Sequence, residues 1–212
     1  MSGGRDAEEK ARVRARLLAV RGALRPEDVR ARGARVQSSL LATKAYRAAR
    51  TVALYAALPG EVPTDALLAA ALADKKTVVF PTVPPTGRLL TFRSVQESAH
   101  LVPRGRLGIR EPLPTCQAVA LSTIELFVVP GLGFGPLGQR LGHGAGYYDA
   151  TLALAPAVTP RVGLAFSEQV LDALPMDEAD VPMHWVLTED DTFTAPGAAA
   201  TVVGASPSPQ RE

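Results

Sequence analysis

The sequence predicts an α/β domain on a single open, mostly parallel sheet flanked by helices, with two helices ahead of the sheet. Three observations carry this. Short β-rich runs alternate with helical segments from residue 51 onward, the order that builds parallel βαβ units. Residues 124–129 (IELFVV) and 161–166 (RVGLAF) are almost continuously apolar, as strands covered on both faces are. The first fifty residues carry helix signals and no strand signal.

Taken in order, residues 7–23 contain no proline and are rich in Ala, Arg and Leu, which favours a helix, with Val13, Leu17, Leu18 and Val20 as its apolar face. Pro26 suits the first turn of a second helix, where Glu27 and Asp28 meet the positive end of the dipole. That helix is expected to end near Leu41. Residues 51–57 form a strand. Thr64 caps a helix over 65–72. Strands follow at 77–81, 88–95 and 124–129, then a helix at 149–154, a strand at 161–166 and a short one at 185–187. Residues 1–6 are expected to be a flexible N-terminus, 7–192 one domain, and 193–212, rich in Ala, Gly, Ser and Pro, a disordered tail.

A chain of 212 residues, 47% of them hydrophobic, supports one substantial core. Its lone cysteine, Cys116, excludes an internal disulfide or a cysteine-based zinc site and fits a reducing compartment. The polar start, with Asp6, Glu8 and Glu9, resembles neither a secretory signal nor a transit peptide. No window reaches the roughly 18 apolar residues of a membrane helix. A cytoplasmic protein is expected. The net charge of +2 is uneven: residues 1–50 hold thirteen Lys and Arg against five acids, leaving −6 for the rest. A solvated helix face, a nucleotide phosphate and nucleic acid each suit such a region. Nucleic acid fits worst, because no aromatic residue interleaves the arginines before Tyr46.

Seven of the eighteen glycines fall between Gly131 and Gly146. They follow the buried run at 124–129 and lead into the helix at 149–154. Ligands of open α/β sheets bind at the carboxyl ends of strands, and glycine lets backbone N–H groups approach an anion. Walker A is excluded, since no glycine here is followed by lysine. The dinucleotide fingerprint is excluded too, because Pro136 or Tyr147 stands where its third glycine belongs. Arg140 matches phosphate oxygens, Asp149 is a carboxylate of the kind that holds Mg²⁺ bridging phosphates, and Tyr147 and Tyr148 offer flat faces to a planar ring. A structural glycine loop with core tyrosines is the other reading of these residues.

The segment Pro-Gly-Leu-Gly-Phe at 130–134, followed by Gly-Gln-Arg-Leu-Gly-His-Gly-Ala-Gly-Tyr-Tyr-Asp at 138–149, resembles the signature of 5-formyltetrahydrofolate cyclo-ligases. Lys10 and Arg14, the stretch 55–64 with Glu61, and Leu164, Ala165, Phe166, Gln169, Pro175, Asp180, Thr188 and Glu189 resemble other parts of that family. The resemblance spans residues 7–190. It implies an open sheet like that of sugar-phosphate isomerases and CoA transferases. It also implies an ATP- and Mg²⁺-dependent ligase that forms a C–N bond and closes 5-formyltetrahydrofolate to 5,10-methenyltetrahydrofolate with release of ADP and phosphate.

By the same resemblance, Arg140 is the catalytic arginine. ATP is bound by Lys10, Arg14, Arg140, Leu141, Gly142, His143, Gly144, Ala145, Gly146, Tyr147 and Tyr148. The folate, polyglutamylated or not, meets Ala56, Glu61, His143, Gly144, Ala145, Gly146 and Tyr147, with Glu61 accepting from the pterin's N–H groups. Asp149 and Asp180 hold Mg²⁺. A monomer that binds neither nucleic acid nor membrane is expected. Gly135, Pro63 and His184 depart from the family pattern, and His100 and His184 have no motif support. The competing reading is a folate- or nucleotide-binding protein of the same fold without turnover.

Overall fold

The computed structural model describes residues 3–104 and 108–198. The described chain runs α1 (Gly3–Gly22), α2 (Pro26–Leu41), α3 (Lys44–Ala48), β1 (Thr51–Ala53), α4 (Asp65–Ala73), β2 (Thr77–Thr82), β3 (Thr91–Ser94), β4 (Leu101–Pro103), β5 (Arg110–Pro112) and β6 (Ala118–Val119). It continues through β7 (Leu126–Val129), β8 (Gly133–Phe134), β9 (Arg140–Leu141), α5 (Tyr147–Leu152), β10 (Arg161–Leu164), β11 (Trp185–Leu187) and β12 (Thr192–Thr194).

Eight strands form the main sheet in the order β12-β11-β10-β7-β1-β2-β3-β6. The five from β11 to β2 are mutually parallel, and antiparallel strands close both edges. The expected open, mostly parallel sheet flanked by helices is therefore present. Alternation along the central strands feeds two cores. Val52, Val78, Phe80, Leu126, Val128, Val162 and Leu164 face α2, α3 and α4, whereas Ala53, Val79, Phe127 and Val129 face Phe134, Leu152 and Met183. Gly163 is a packing requirement on that second face, because a Cβ there would lie 2.4 Å from Phe134 Cε1.

The chain passes from β1 to β2 on one side and later returns to place β7 on the other. The carboxyl ends of β1 and β7 thus flank a topological switch point, where such sheets bind ligands.

Several expectations need correction. Of the apolar face expected on α1, Leu17 is buried and Val13 packs beside its cluster, but Leu18 is 48% exposed, and the buried stripe is Lys10, Leu17 and Arg21. Spacings of seven and four residues put those three side chains on one face. Arg12 and Arg16 lie off that stripe and are exposed. The strand expected at 51–57 ends at Ala53, so Tyr55 and Ala56 lie beyond its carboxyl end. Thr64 stands at the N-cap of α4 as expected but makes no side-chain capping bond; its hydroxyl donates to the Tyr55 carbonyl at 2.5 Å and ties down the loop after β1. The strand expected at 88–95 covers only Thr91–Ser94. Folded structure also extends past the expected limits, since α1 begins at Gly3 and β12 pairs with β11 through Thr194. The remainder of the tail from residue 199 lies outside the described residues.

His184 has a structural role. Its Nδ1 accepts from the Arg161 N–H at 3.1 Å, and its ring packs on Trp185. Burial, with the Arg161 charge beside it, pulls the imidazole from 6.5 down to about 4. Between those values the unfolded chain binds more protons than the folded one, so this site's stability is complete above 6.5 and is lost as pH falls through the window. The midpoint of urea unfolding should therefore drop between pH 6.5 and 4, and His184→Asn should flatten that slope. An identical slope in the variant would remove His184 as its source.

Candidate active site

A cavity of about 680 Å³ opens at the switch point. Its walls come from α1 (Lys10, Arg14), the loop after β1 (Tyr55, Ala56, Leu58, Glu61), the ends of β2 and β5, and residues 140–150. Every site residue expected from the sequence lines it, including Asp149 and Asp180.

The glycine-rich segment folds in two parts. Residues 133–141 form a two-stranded ribbon in which Phe134 pairs with Arg140, so Arg140 stands on a strand. Gly133 is there for packing: a Cβ would meet Leu17 Cδ1 at 2.5 Å. The ribbon is anchored from below by Gln169, whose Nε2 donates to the Leu132 carbonyl at 2.9 Å. At Gly135, a departure from the family pattern, the Gln139 side chain fills the space, 2.3 Å from where a Cβ would sit. The second part is the loop 142–146, where Gly144 (φ +98°) takes a left-handed conformation open to few side chains. Helix α5 has only six residues, so its dipole is small.

The charges interleave. Arg140, 4% exposed, donates from Nη2 to Asp149 Oδ1 at 2.7 Å and from Nη1 to the Pro130 carbonyl at 3.3 Å. Its guanidinium lies 5.7 Å from the Tyr148 ring centre. Lys10 donates to Asp177 at 2.8 Å and Asp180 at 2.5 Å. Burial works against its charge, but these carboxylates outweigh that, and the ammonium titrates above its ordinary value. Arg14 Nε donates to the Gly142 carbonyl at 3.0 Å, fixing α1 to the glycine loop. Burial raises the Tyr148 hydroxyl well above the usual range despite the Arg140 charge, leaving it a neutral donor at neutral pH.

Ala56, Pro81, Val83, Leu90 and Ile109 supply apolar wall to the same cavity, with Arg88, Arg110 and Glu111 among them. Glu61 lies there, 5% exposed. Its Oε1 pairs with Arg21 Nη1 at 3.1 Å and its Oε2 accepts from the Leu58 N–H at 2.9 Å. His143 Nε2 is 3.7 Å from Glu61 Oε1, which brings the glycine loop to the wall after β1. His100 lies beside Glu97 and is not among the residues that line the cavity.

Sequence reasoning missed Arg21, Asp177 and Glu111. Arg21 was available, as it continues the 10–14–17 spacing by one helical turn. Asp177 and Glu111 carry no local signal, because the first reaches Lys10 across 167 positions and the second enters the cavity through strand pairing.

A switch-point cavity that gathers Lys10, Arg14 and Arg140 together with apolar side chains is the ligand site of an α/β enzyme. The family model described as the 5-formyltetrahydrofolate cyclo-ligase family matches residues 6–189. A 5-formyltetrahydrofolate cyclo-ligase of Escherichia coli (strain K12) is 33% identical over 172 residues, covering 79% of this chain and 93% of that protein. A probable 5-formyltetrahydrofolate cyclo-ligase of Caenorhabditis elegans is 27% identical over 196 residues, covering 88% and 95%. The solved structure of Aquifex aeolicus 5,10-methenyltetrahydrofolate synthetase superposes with a TM-score of 0.76 at 30% identity, covering 94% of this chain and 96% of that one. The chain belongs to the 5-formyltetrahydrofolate cyclo-ligase family and is an enzyme of that ligase type. None of its described helices is long and apolar enough to cross a membrane.

Proposed function

We propose that this chain converts 5-formyltetrahydrofolate to 5,10-methenyltetrahydrofolate while Mg-ATP becomes ADP and phosphate. The observation that carries this reading is one cavity lined both by Lys10, Arg14 and Arg140 and by the apolar side chains of Ala56, Leu90 and Ile109. The formyl oxygen attacks the γ-phosphorus and ADP leaves. N10 then attacks the formyl carbon, its proton passes to solvent, and phosphate departs with the formyl oxygen. The protein supplies no nucleophile; it aligns the reacting atoms and neutralises charge as it develops.

Arg140 binds the transferring phosphoryl group. Lys10 and Arg14 hold the remaining phosphates. The loop from Leu141 through Gly142, His143, Gly144, Ala145 and Gly146 to Tyr147 and Tyr148 runs between the two ligands. It offers N–H groups to the phosphates, while the Tyr147 ring and His143 face the folate. Ala56 lines the folate wall, and Glu61 accepts from a folate N–H.

The carboxylates fit Mg²⁺. Asp149 Oδ2 and Asp180 Oδ1 make no protein hydrogen bond among the described residues, whereas Asp149 Oδ1 accepts from the N–H of Val181, next to Asp180. Two carboxylates with phosphate oxygens suit this ion, which seldom uses an all-protein cage. Among the described residues no group of three metal-ligating side chains forms one. When bound, Mg²⁺ supplies charge neutralisation at the phosphates. Lys10 and Arg140 exchange their carboxylate partners for phosphate oxygens as the nucleotide binds, so no buried charge is left uncompensated.

The test is to mix the protein with Mg-ATP and 5-formyltetrahydrofolate and follow the methenyl product by near-ultraviolet absorbance. Absence of product, with both ligands shown to bind, would leave a binding protein without turnover. Lys10→Ala should raise the KM for ATP about 10- to 100-fold, the loss of a charged hydrogen bond, with a smaller change in kcat. An unchanged KM would return Lys10 to a purely structural pairing with Asp177 and Asp180.

A further inference from the structure

Glu111 is the one buried carboxylate of the cavity that the functional reading leaves unused. It lies on β5, beside β2, and is 7% exposed. Burying a carboxylate is costly unless hydrogen bonds or an opposite charge compensate. Among the described residues Glu111 has no ion-pair partner. Its Oε1 meets only the Val83 N–H, at a long 3.4 Å. Its Oε2 has no protein partner, yet it is not among the sealed-off polar atoms of the described structure, and the side chain lines the cavity. Its neighbour Arg110 is committed to Asp65 at 2.8 Å. Among the described residues Glu111 thus has one unpartnered oxygen and one long contact, whereas each oxygen of Glu61 accepts a close bond, from Arg21 and from the Leu58 N–H.

We infer that Glu111 is a substrate-recognising residue that accepts two parallel hydrogen bonds from the 2-amino and N3–H groups of the folate pteridine. This rests on the proposed folate reaction. Val83, Leu90 and Ile109 give the same cavity the apolar walls a flat ring needs. A pteridine presents two adjacent donors, the pattern a carboxylate takes bidentately. Adenine presents its amino group beside a ring acceptor, which a carboxylate repels, so the nucleotide is the poorer occupant.

The test compares wild type and Glu111→Gln by calorimetric titration with 5-formyltetrahydrofolate, and with its analogue carrying a methyl in place of the 2-amino group. The glutamine places an N–H₂ against the pteridine donors, so affinity for the natural ligand should fall about 10- to 100-fold. The KM for ATP should change by less than about threefold. The analogue, which keeps only the N3–H donor, should bind wild type more weakly than the natural ligand does and should lose clearly less affinity on the substitution. The variant's Tm should hold or rise, since an uncompensated buried carboxylate has been removed. Equal losses for both ligands, or a lowered Tm with unchanged folate affinity, would make Glu111 a brace for the Val83 loop and overturn the inference. Calorimetry reads binding even if the wild type shows no turnover, so failure of the cyclo-ligase reading is seen separately, in the absorbance assay.

Discussion

Arg140→Ala is expected to lower kcat by about a thousandfold or more, the scale of a phosphoryl-stabilising arginine, while the protein stays folded. The guanidinium is held on strand β9, buried, with its Nη2 on Asp149 and its Nη1 on the Pro130 carbonyl. Its Nε has no partner among the described residues. Removing the side chain leaves Asp149 Oδ1 with the Val181 N–H, and that carboxylate is 18% exposed, so water can compensate part of the loss. The stability cost should be small beside the kinetic one. Arg140→Lys restores the charge but not the planar fork that matches phosphate oxygens, and should recover only part of the rate. Near-normal kcat in Arg140→Ala, measured by methenyl absorbance, would remove Arg140 from the chemistry. A collapsed Tm would instead mean that the Asp149 pair is chiefly structural.

The parts of this fold legible in the sequence are those whose burial is local in chain order. Residues 126–129 are buried on both faces, and that shows as an unbroken apolar run. The ribbon around Arg140 was not legible, since two strands of two residues have no periodicity to detect. The glycines beside it read as one ligand loop, but Gly133 answers to Leu17, and of these glycines only Gly142, Gly144 and Gly146 line the cavity. The basic N-terminal region posed the same difficulty in another form. Composition cannot separate Arg12 and Arg16, which face water, from Lys10, Arg14 and Arg21, which point inward; the helical period can. Glu111 had no such clue. Its burial comes from pairing with Val102 across the β4–β5 hairpin and from lying beside β2.

The inward stripe of α1 also sets the largest stability effect. Arg21 and Glu61 are 6% and 5% exposed and pair at 3.1 Å, and Arg21 Nη2 donates to the Pro59 carbonyl at 2.9 Å. Removing one partner of such a pair strands a buried charge, at a cost of about 3–5 kcal/mol. Arg21→Met should therefore lower Tm by about 6–20 °C for a domain of this size. Adding Glu61→Leu removes the stranded carboxylate, and an apolar pair of similar volume often replaces a buried ion pair without loss. The double variant should regain most of the lost stability. Folate binding separates the two roles of Glu61. If its carboxylate only neutralises Arg21, the double variant should bind 5-formyltetrahydrofolate as the wild type does. If it accepts from the substrate, as proposed, affinity should stay about tenfold or more below wild type even though Tm has recovered. The coupling between the two positions, read from the four Tm values and the four affinities, distinguishes these outcomes. Recovery of both quantities together would assign Glu61 to the fold and leave Glu111 as the carboxylate that reads the pteridine.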